Sequence, residues 1–205
     1  PEGSVVSVNI SERQGTSKQP VDAIVIDSQG VSGDAHAGHW HRQVSLLAAE
    51  SIERFSREAG QTFLPGEFAE NITTRGVGLA DVAILDRLLL GGSVELEVTQ
   101  LGKECHGSGC AIFQQVGRCV MPKEGVFTRV IRGGTVRPGD VLAHKPRILR
   151  CRIVTLSDRA SQGVYPDRGG PRVRECLERF AREKRWQLDA ASAIIPDDAD
   201  QLRGA

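Results

Sequence analysis

Residues 93–100, SVELEVTQ, put Val94, Leu96 and Val98 on one side of an extended chain and Glu95, Glu97 and Thr99 on the other. That is the period-two pattern of a strand with one buried face and one wet face. Gly91 and Gly92 supply the turn before it. Short segments rich in β-branched residues recur at 4–10 (SVVSVNI) and 21–27 (VDAIVID), and a further strand is expected after the Pro138-Gly139-Asp140 turn. One helix interrupts the series: with Ser45 as its N-cap, Leu46, Ala49, Ile52, Phe55 and Ala59 recur at helical spacing, and Gly60 stands just beyond. Aromatic residues are only 4% of the chain, so the core must rest on Val, Ile, Leu and Ala. The pattern predicts a mainly β (α+β) fold over residues 1–145, a β-barrel-like domain or strongly bent sheet with peripheral helices.

The pattern changes at AHKPRILR (143–150), a basic, proline-containing segment that reads as a linker. CRIVTLSD then reads as a nearly continuous apolar strand of a parallel sheet. A helix opened by Gly170 and Pro171 follows, with Val173, Leu177, Phe180 and Cys176 as an apolar stripe running to Trp186. LDAASAIIPDDA supplies a second strand. Strand, helix and strand make one βαβ unit, which cannot cover both faces of a parallel sheet, so residues 146–205 are expected to be a truncated α/β segment.

Charge and hydropathy narrow the function classes. Lys plus Arg and Asp plus Glu are each 26, so no long-range field gathers nucleic acid or an anionic membrane, and any anion must be bound locally. No apolar run approaches the roughly 20 residues that span a bilayer, and the N-terminus has no signal-like pattern, which reads as a cytoplasmic protein. Flavin, haem and nicotinamide fingerprints are also missing, so an oxidoreductase acting on N-hydroxylated compounds would depend on electron-donor partners.

The five cysteines, at 105, 110, 119, 151 and 176, are an odd number without an export signal, which argues against a disulfide framework. Cys151 and Cys176 lie in apolar stretches, where a buried, inert thiol is usual. The other three cluster in QLGKECHGSGCAIFQQVGRC, directly after the best-defined strand, where reactive groups project. Lys103 and His106 beside Cys105 favour the thiolate, the form that carries sulfur or binds a soft metal. Gly107 and Gly109 would let a bulky ligand approach the backbone. Two alternatives stay open. Cys105, His106, Cys110 and Cys119 have the atoms of a structural zinc site, although Cys-x4-Cys-x8-Cys lacks the paired short spacings of zinc ribbons. Cys110 or Cys119 could instead resolve an oxidised or persulfidated Cys105.

Several phrases, in order, resemble the MOSC family, a module found at the C-terminus of molybdenum cofactor sulfurases and also alone. They are GVSGDAHAG (30–38), FAENITTRGV (68–77), LEVTQLGKECH, in which Cys105 occupies the position of the single family cysteine, and VFTRVIRGGTVRPGDVL. Ala69 stands where glycine is common, and Cys110 and Cys119 exceed the general pattern. The resemblance implies a β-barrel-like fold that binds the molybdenum cofactor (molybdopterin), with Cys105 as persulfide carrier or direct molybdenum ligand. It implies a cysteine desulfurase or other sulfur donor as one partner and a molybdenum- or tungsten-dependent enzyme as acceptor. No bound pyridoxal phosphate is expected, and a homo-oligomer stays open.

On that reading His36, with Arg42, binds the pterin phosphate near Cys105, aided by Asp34, Lys103 and His106. The alternative for His36, His39 and His41, with Asp34, is a metal site or simply structural and exposed histidines. Glu70 is read as structural and Asn71 as a ligand to the pterin. Residues 151 to about 200 resemble the start of the molybdopterin adenylyltransferase family through LSDRASQGVYPDRGGP (156–171) and IIPDD. That resemblance puts Ser157, Asp158 and Arg159 at a strand end and makes Asp158 and Asp197 cofactor-binding residues. The family's Gly- and Thr-rich phosphate loop has no counterpart here, so adenylyl transfer is not expected of this chain.

Overall fold

The β-branched segments of residues 1–146 pair into a closed ring in the computed structural model, which describes residues 2–104 and 111–204. In chain order the strands are β1 (Glu2–Ile10), β2 (Gln19–Val21), β3 (Ile24–Asp27), β4 (Gly30–Val31), β5 (Val44–Ala48), β6 (Ile72–Arg75), β7 (Arg87–Leu90), β8 (Val94–Leu101), β9 (Val126–Arg132), β10 (Gly134–Val136) and β11 (Val141–Lys145). Seven of them run β11-β7-β8-β9-β5-β6-β1, and β1 pairs back onto β11 to shut the barrel. Strand β2 adds to the outer part of β1, while β3, β4 and β10 make a separate small sheet.

Neighbours in the ring are antiparallel except β5 and β6, which run parallel. A parallel pair needs a crossover, and helix α1 (Ala49–Ala59) lies in that connection. The short helices α2 (Ala111–Val116) and α3 (Met121–Glu124) lie between β8 and β9. The mainly β barrel with few helices is the architecture that the strand pattern predicts.

Alternation along β5 divides the core in two. Val44 and Leu46 join Leu88, Leu90, Val94, Leu96 and Val98 in one fully buried cluster. On the other face Leu47 packs with Ile52, Phe55, Phe63, Phe68 and Phe127 under α1. The rings of Phe55, Phe63 and Phe68 form a triangle with centroids 5.3 to 5.4 Å apart. Four of the six phenylalanines thus serve the seam between barrel and helix, where long flat side chains can bridge the gap, and the first cluster is aliphatic.

Three local expectations need correction. Ser45 caps no helix: it and Leu46 lie in β5, and α1 begins at Ala49 with Ala48 as an N-cap that makes no side-chain hydrogen bond. Helical spacing and one face of a strand coincide over these residues, and pairing of β5 with β6 and β9 decides between them. Residues 21–27 split between β2 and β3, in different sheets. Glu97 is not on a wet face: it is 5% exposed because Arg87 (2.9 Å) and Arg129 (2.6 Å) close over it.

The second unit, Arg147–Ala205, contains β12 (Ile148–Leu156), α4 (Asp158–Ser161), α5 (Gly169–Lys184), β13 (Gln187–Ile195) and α6 (Ala199–Gly204). Strands β12 and β13 are parallel, in register from Ile148 with Gln187 to Leu156 with Ile195. Most of the supposed linker is strand, since only Pro146 and Arg147 separate β11 from β12. The expected stripe of α5 is not buried either: Gly170 and Ala181 are its buried residues, while Val173 and Phe180 are exposed. Helical spacing says which residues share a face, but burial needs a wide partner layer, and two strands make a narrow one. For the same reason Cys151 is only half-buried and Cys176 is exposed, not the inert buried thiols expected from their apolar surroundings.

Candidate functional site

The loop from β4 to β5 carries Asp34, His36, Trp40 and Arg42; the turn before β6 carries Ala69 and Asn71; and Lys103 follows β8. These segments converge on a recess of about 70 Å³ lined by His36, Trp40, Arg42, Asn71 and Lys103, with Phe127 at its wall. The Arg42 guanidinium carbon lies 4.8 Å from the centre of the Trp40 ring and 5.7 Å from that of Phe127. Stacking of this kind holds a guanidinium flat while leaving its edge for an anion. The Nε of Arg42 is buried and has no hydrogen-bond partner among the described residues. A buried donor of a charged group without an acceptor is costly, and its presence beside a recess points to an anionic ligand.

Behind the recess lies a buried polar network. The Lys18 ammonium, in the loop before β2, bonds to Asp34 and approaches His36 Nδ1 at 3.2 Å. Burial pushes the Lys18 pKa below the ordinary lysine value, against the pull of the Asp34 carboxylate. Burial also opposes ionisation of Asp34, but hydrogen bonds from the Lys18 ammonium and the His36 backbone N–H, with the attraction of that ammonium, outweigh it and hold the carboxyl far below the usual range. Glu70 is fully buried, accepts from Gly66 N (2.6 Å) and Thr73 Oγ1 (2.7 Å), and has its pKa raised by burial. Asn71 uses Oδ1 for Ser45 N (3.2 Å) and Oγ (3.0 Å) and Nδ2 for Asn9 O (3.3 Å). It is therefore chiefly a brace between strands, with one amide hydrogen left for the recess.

In the second unit a cavity of about 680 Å³ is lined by Thr155, Ser157, Tyr165, Asp167 and Asp197, among others. Asp158 Oδ1 accepts the backbone N–H of Asp197 at 3.0 Å, so these two predicted residues meet at the strand ends. Ser157, not Asp158, caps α4, accepting from Ala160 N at 3.2 Å. Asp167, one residue before the α5 N-cap Arg168, accepts the N–H groups of Gly169 and Gly170, and the Gly170 N–H together with the Thr155 hydroxyl lowers its pKa.

The MOSC domain family matches residues 33–143, more than half of the chain. This chain belongs to that family. Among solved structures, the chain is similar to the YuaD protein of Bacillus subtilis, at 18% identity and a TM-score of 0.60, covering 71% of this chain and 97% of that one. It is also similar to YiiM from Geobacillus stearothermophilus, at 24% identity and TM-score 0.58, covering 72% and 76%. YiiM from Escherichia coli shares 18% identity with TM-score 0.52, covering 99% and 90%. At such identities the likeness is one of fold. No curated protein matches the chain.

Within the MOSC unit the recess unites His36, Arg42, Asn71 and Lys103, whose grouping sequence order alone does not give. Asp34 stands behind His36, not at the surface. Cys105, His106 and Cys110 lie outside the described residues, and Cys119 packs half-buried against the phenylalanine cluster. Among the described residues no group of three or more His, Cys, Asp or Glu is placed to hold a metal. His39 is exposed, and His41 is exposed on Gln100 at 3.0 Å. No described helix is long and apolar enough to cross a membrane.

Sequence reasoning missed Lys18, Trp40 and Phe127. A lone lysine in a polar loop gives no signal of burial, while the aromatic residues flanking Arg42 in space could be sought only once β9 was known to lie beside β5.

Ala69, where the family commonly has glycine, has φ 65° and lines the recess. A left-handed alanine costs about 1–2 kcal/mol, and the greater freedom of glycine in the unfolded chain offsets roughly 0.4–1 of it. Ala69→Gly is therefore expected to stabilise the unit by about 0.5–1 kcal/mol in urea unfolding.

Proposed function

We propose that the MOSC unit is a molybdenum cofactor binding module in which His36, Arg42 and Lys103 take the phosphate of molybdopterin, and Cys105 carries sulfur or ligates molybdenum. The observation that carries this reading is the Nε of Arg42, buried and without a partner among the described residues, in a recess also lined by Lys103 and His36. At about 70 Å³ the recess is far smaller than a whole-ligand pocket, so it suits the anionic end of a larger molecule. The cofactor, when bound, supplies the metal and dithiolene chemistry. The protein's own residues bind and orient its anionic end, and the chain's zero net charge makes such local cations the source of affinity.

Cys105 stands two residues along the chain from Lys103. As a carrier it would accept a sulfane sulfur from a donor's persulfide, its thiolate forming the new S–S bond while the donor leaves as a thiolate. A cysteine desulfurase fits as donor, and a molybdenum- or tungsten-dependent enzyme as acceptor. For the second unit we infer kinship with the start of the molybdopterin adenylyltransferases, with Asp197 at the cavity and Asp158 holding the Asp197 backbone.

The test is pterin content after purification. The wild-type protein is expected to retain molybdopterin, Cys151→Ser to retain it equally, and Arg42→Ala to bind at least about tenfold more weakly, as expected for loss of a charged hydrogen-bond donor. Cys105→Ser is expected to lose the metal or the sulfur, the latter seen as the disappearance of an adduct of about 32 Da. Equal retention of pterin, metal and adduct by all four proteins would sink the assignment. One zinc per chain, with unfolding on chelation, would replace it with a structural metal site made by Cys105, His106, Cys110 and Cys119.

A further inference from the structure

Lys18 is 2% exposed, and a buried ammonium has three hydrogens to place. Its Nζ has three acceptors in reach: Asp34 Oδ2, Ser11 Oγ at 3.5 Å and His36 Nδ1 at 3.2 Å. Asp34 is satisfied without the His36 ring, because Oδ2 also accepts Ser11 N–H (3.0 Å) and Oδ1 accepts the His36 backbone N–H (3.0 Å). Nδ1 of His36 lies 3.2 Å from both Lys18 Nζ and Asp34 Oδ1, so it must serve one of them. A proton on Nδ1 would confront an ammonium hydrogen and leave one N–H of a buried cation without an acceptor. That penalty exceeds the gain of an additional hydrogen bond to a carboxylate already supplied with donors.

We propose that Lys18 is a positioning residue for the recess: by donating to Nδ1 it holds His36 as the Nε2–H tautomer, so that the ring offers a hydrogen-bond donor to an oxyanion bound beside Arg42. The other tautomer would turn a lone pair toward the anion and repel it. Lys18 thus shapes recognition without touching the ligand, as second partners of ligating histidines commonly do. The ligand half of this inference rests on the oxyanion reading of the recess; the tautomer half does not.

Two-bond ¹H–¹⁵N correlation spectra of ¹⁵N-histidine-labelled protein read the two ring nitrogens directly. In the wild type, His36 is expected to show an unprotonated Nδ1 and a protonated Nε2 at neutral pH. In Lys18→Met, Asp34 is left as the hydrogen-bond partner of Nδ1 among the described residues, and the Nδ1 resonance is expected to move to its protonated position. A protonated Nδ1 in the wild type, or an Nδ1 unmoved in the variant, overturns the proposal. A second measurement needs no variant: coupling across the hydrogen bond between Lys18 ¹⁵Nζ and His36 ¹⁵Nδ1 is expected in doubly labelled wild type, and an acceptor other than Nδ1 overturns the proposal even where Lys18→Met does not fold. Inorganic phosphate titrated into the wild type is expected to shift the Nε2 resonance. Its failure to do so, with the tautomer as stated, overturns the oxyanion reading and leaves the tautomer assignment standing.

Discussion

Asp34→Ala is expected to destabilise the MOSC unit by about 3–5 kcal/mol at neutral pH, among the largest effects of any single substitution outside the barrel core, because it strands a buried ammonium. The Lys18 side chain is 1% exposed and, among the described residues, has Asp34 as the one carboxylate it hydrogen-bonds. Chemical unfolding across pH checks both size and sign. The folded-state pKa of Asp34 is depressed, so its contribution is complete above the ordinary aspartate value of 3.8 and is lost as pH falls through the folded value. The gap between wild type and variant should therefore narrow in acid. It should also narrow at the alkaline end: burial already holds the folded Lys18 below its ordinary 10.5, and loss of Asp34, which pulls that value up, lowers it further, so the variant gains more stability than the wild type as pH rises. A gap that stays constant with pH would show that lost packing, not charge, is responsible.

Gly102→Ala is expected to cost about 2–4 kcal/mol and to weaken the proposed oxyanion binding together with it. Gly102 has φ 65°, and a Cβ there would run into the Pro122 carbonyl oxygen, part of a backbone with no flexible end to move aside. The same oxygen accepts Lys103 N–H at 3.3 Å, and Gly102 N–H reaches Gly125 O at 2.7 Å. The clash therefore falls on the bonds that set how the chain leaves β8 toward the recess. Gly117→Ala is the control: it shares a left-handed φ of 69° but nothing lies within 4 Å of the added carbon, so it should cost only about 1 kcal/mol. Thermal melts and phosphate titration of the two variants separate the contributions. Equal losses would attribute the whole effect to backbone conformation.

The barrel was legible because its strands alternate strongly: Val94, Leu96 and Val98 announce one buried face without help from the rest of the chain. Ser45 and Leu46 misled because their spacing suits a helix as well as a strand, and only β6 and β9, distant in sequence, remove the degeneracy. Glu97 misled for a related reason, since a carboxylate enters a protein interior when partners come with it, and Arg87 and Arg129 are on neighbouring strands. At the site, His36, Arg42 and Lys103 could be chosen as polar groups near motif segments. Their convergence could not be read, and Lys18, whose burial depends on Asp34 across a folded loop, carried no local mark. In the second unit, periodicity located α5 but could not reveal that its apolar stripe stays exposed.

Closure of the ring has a consequence for how the unit is made. The seam pairs Glu2, Gly3 and Ser4 with Ala143, Leu142 and Val141, so one edge of β1 has no partner until β11 has been synthesised. At ordinary elongation rates that wait is on the order of ten seconds, long enough for an open strand edge to capture another nascent chain. The waiting stretch is Glu-Gly-Ser with the backbone of Val5, which reaches Gly139 and Asp140, and a charged residue followed by two small ones is among the poorest combinations for adhesive strand pairing. The rest of β1, Val6 to Ile10, instead finds β2 and β6, both made early. The weak seam is therefore suited to its place: it pairs last, in a register that the rest of the barrel has already imposed, and offers little to a stranger in the meantime.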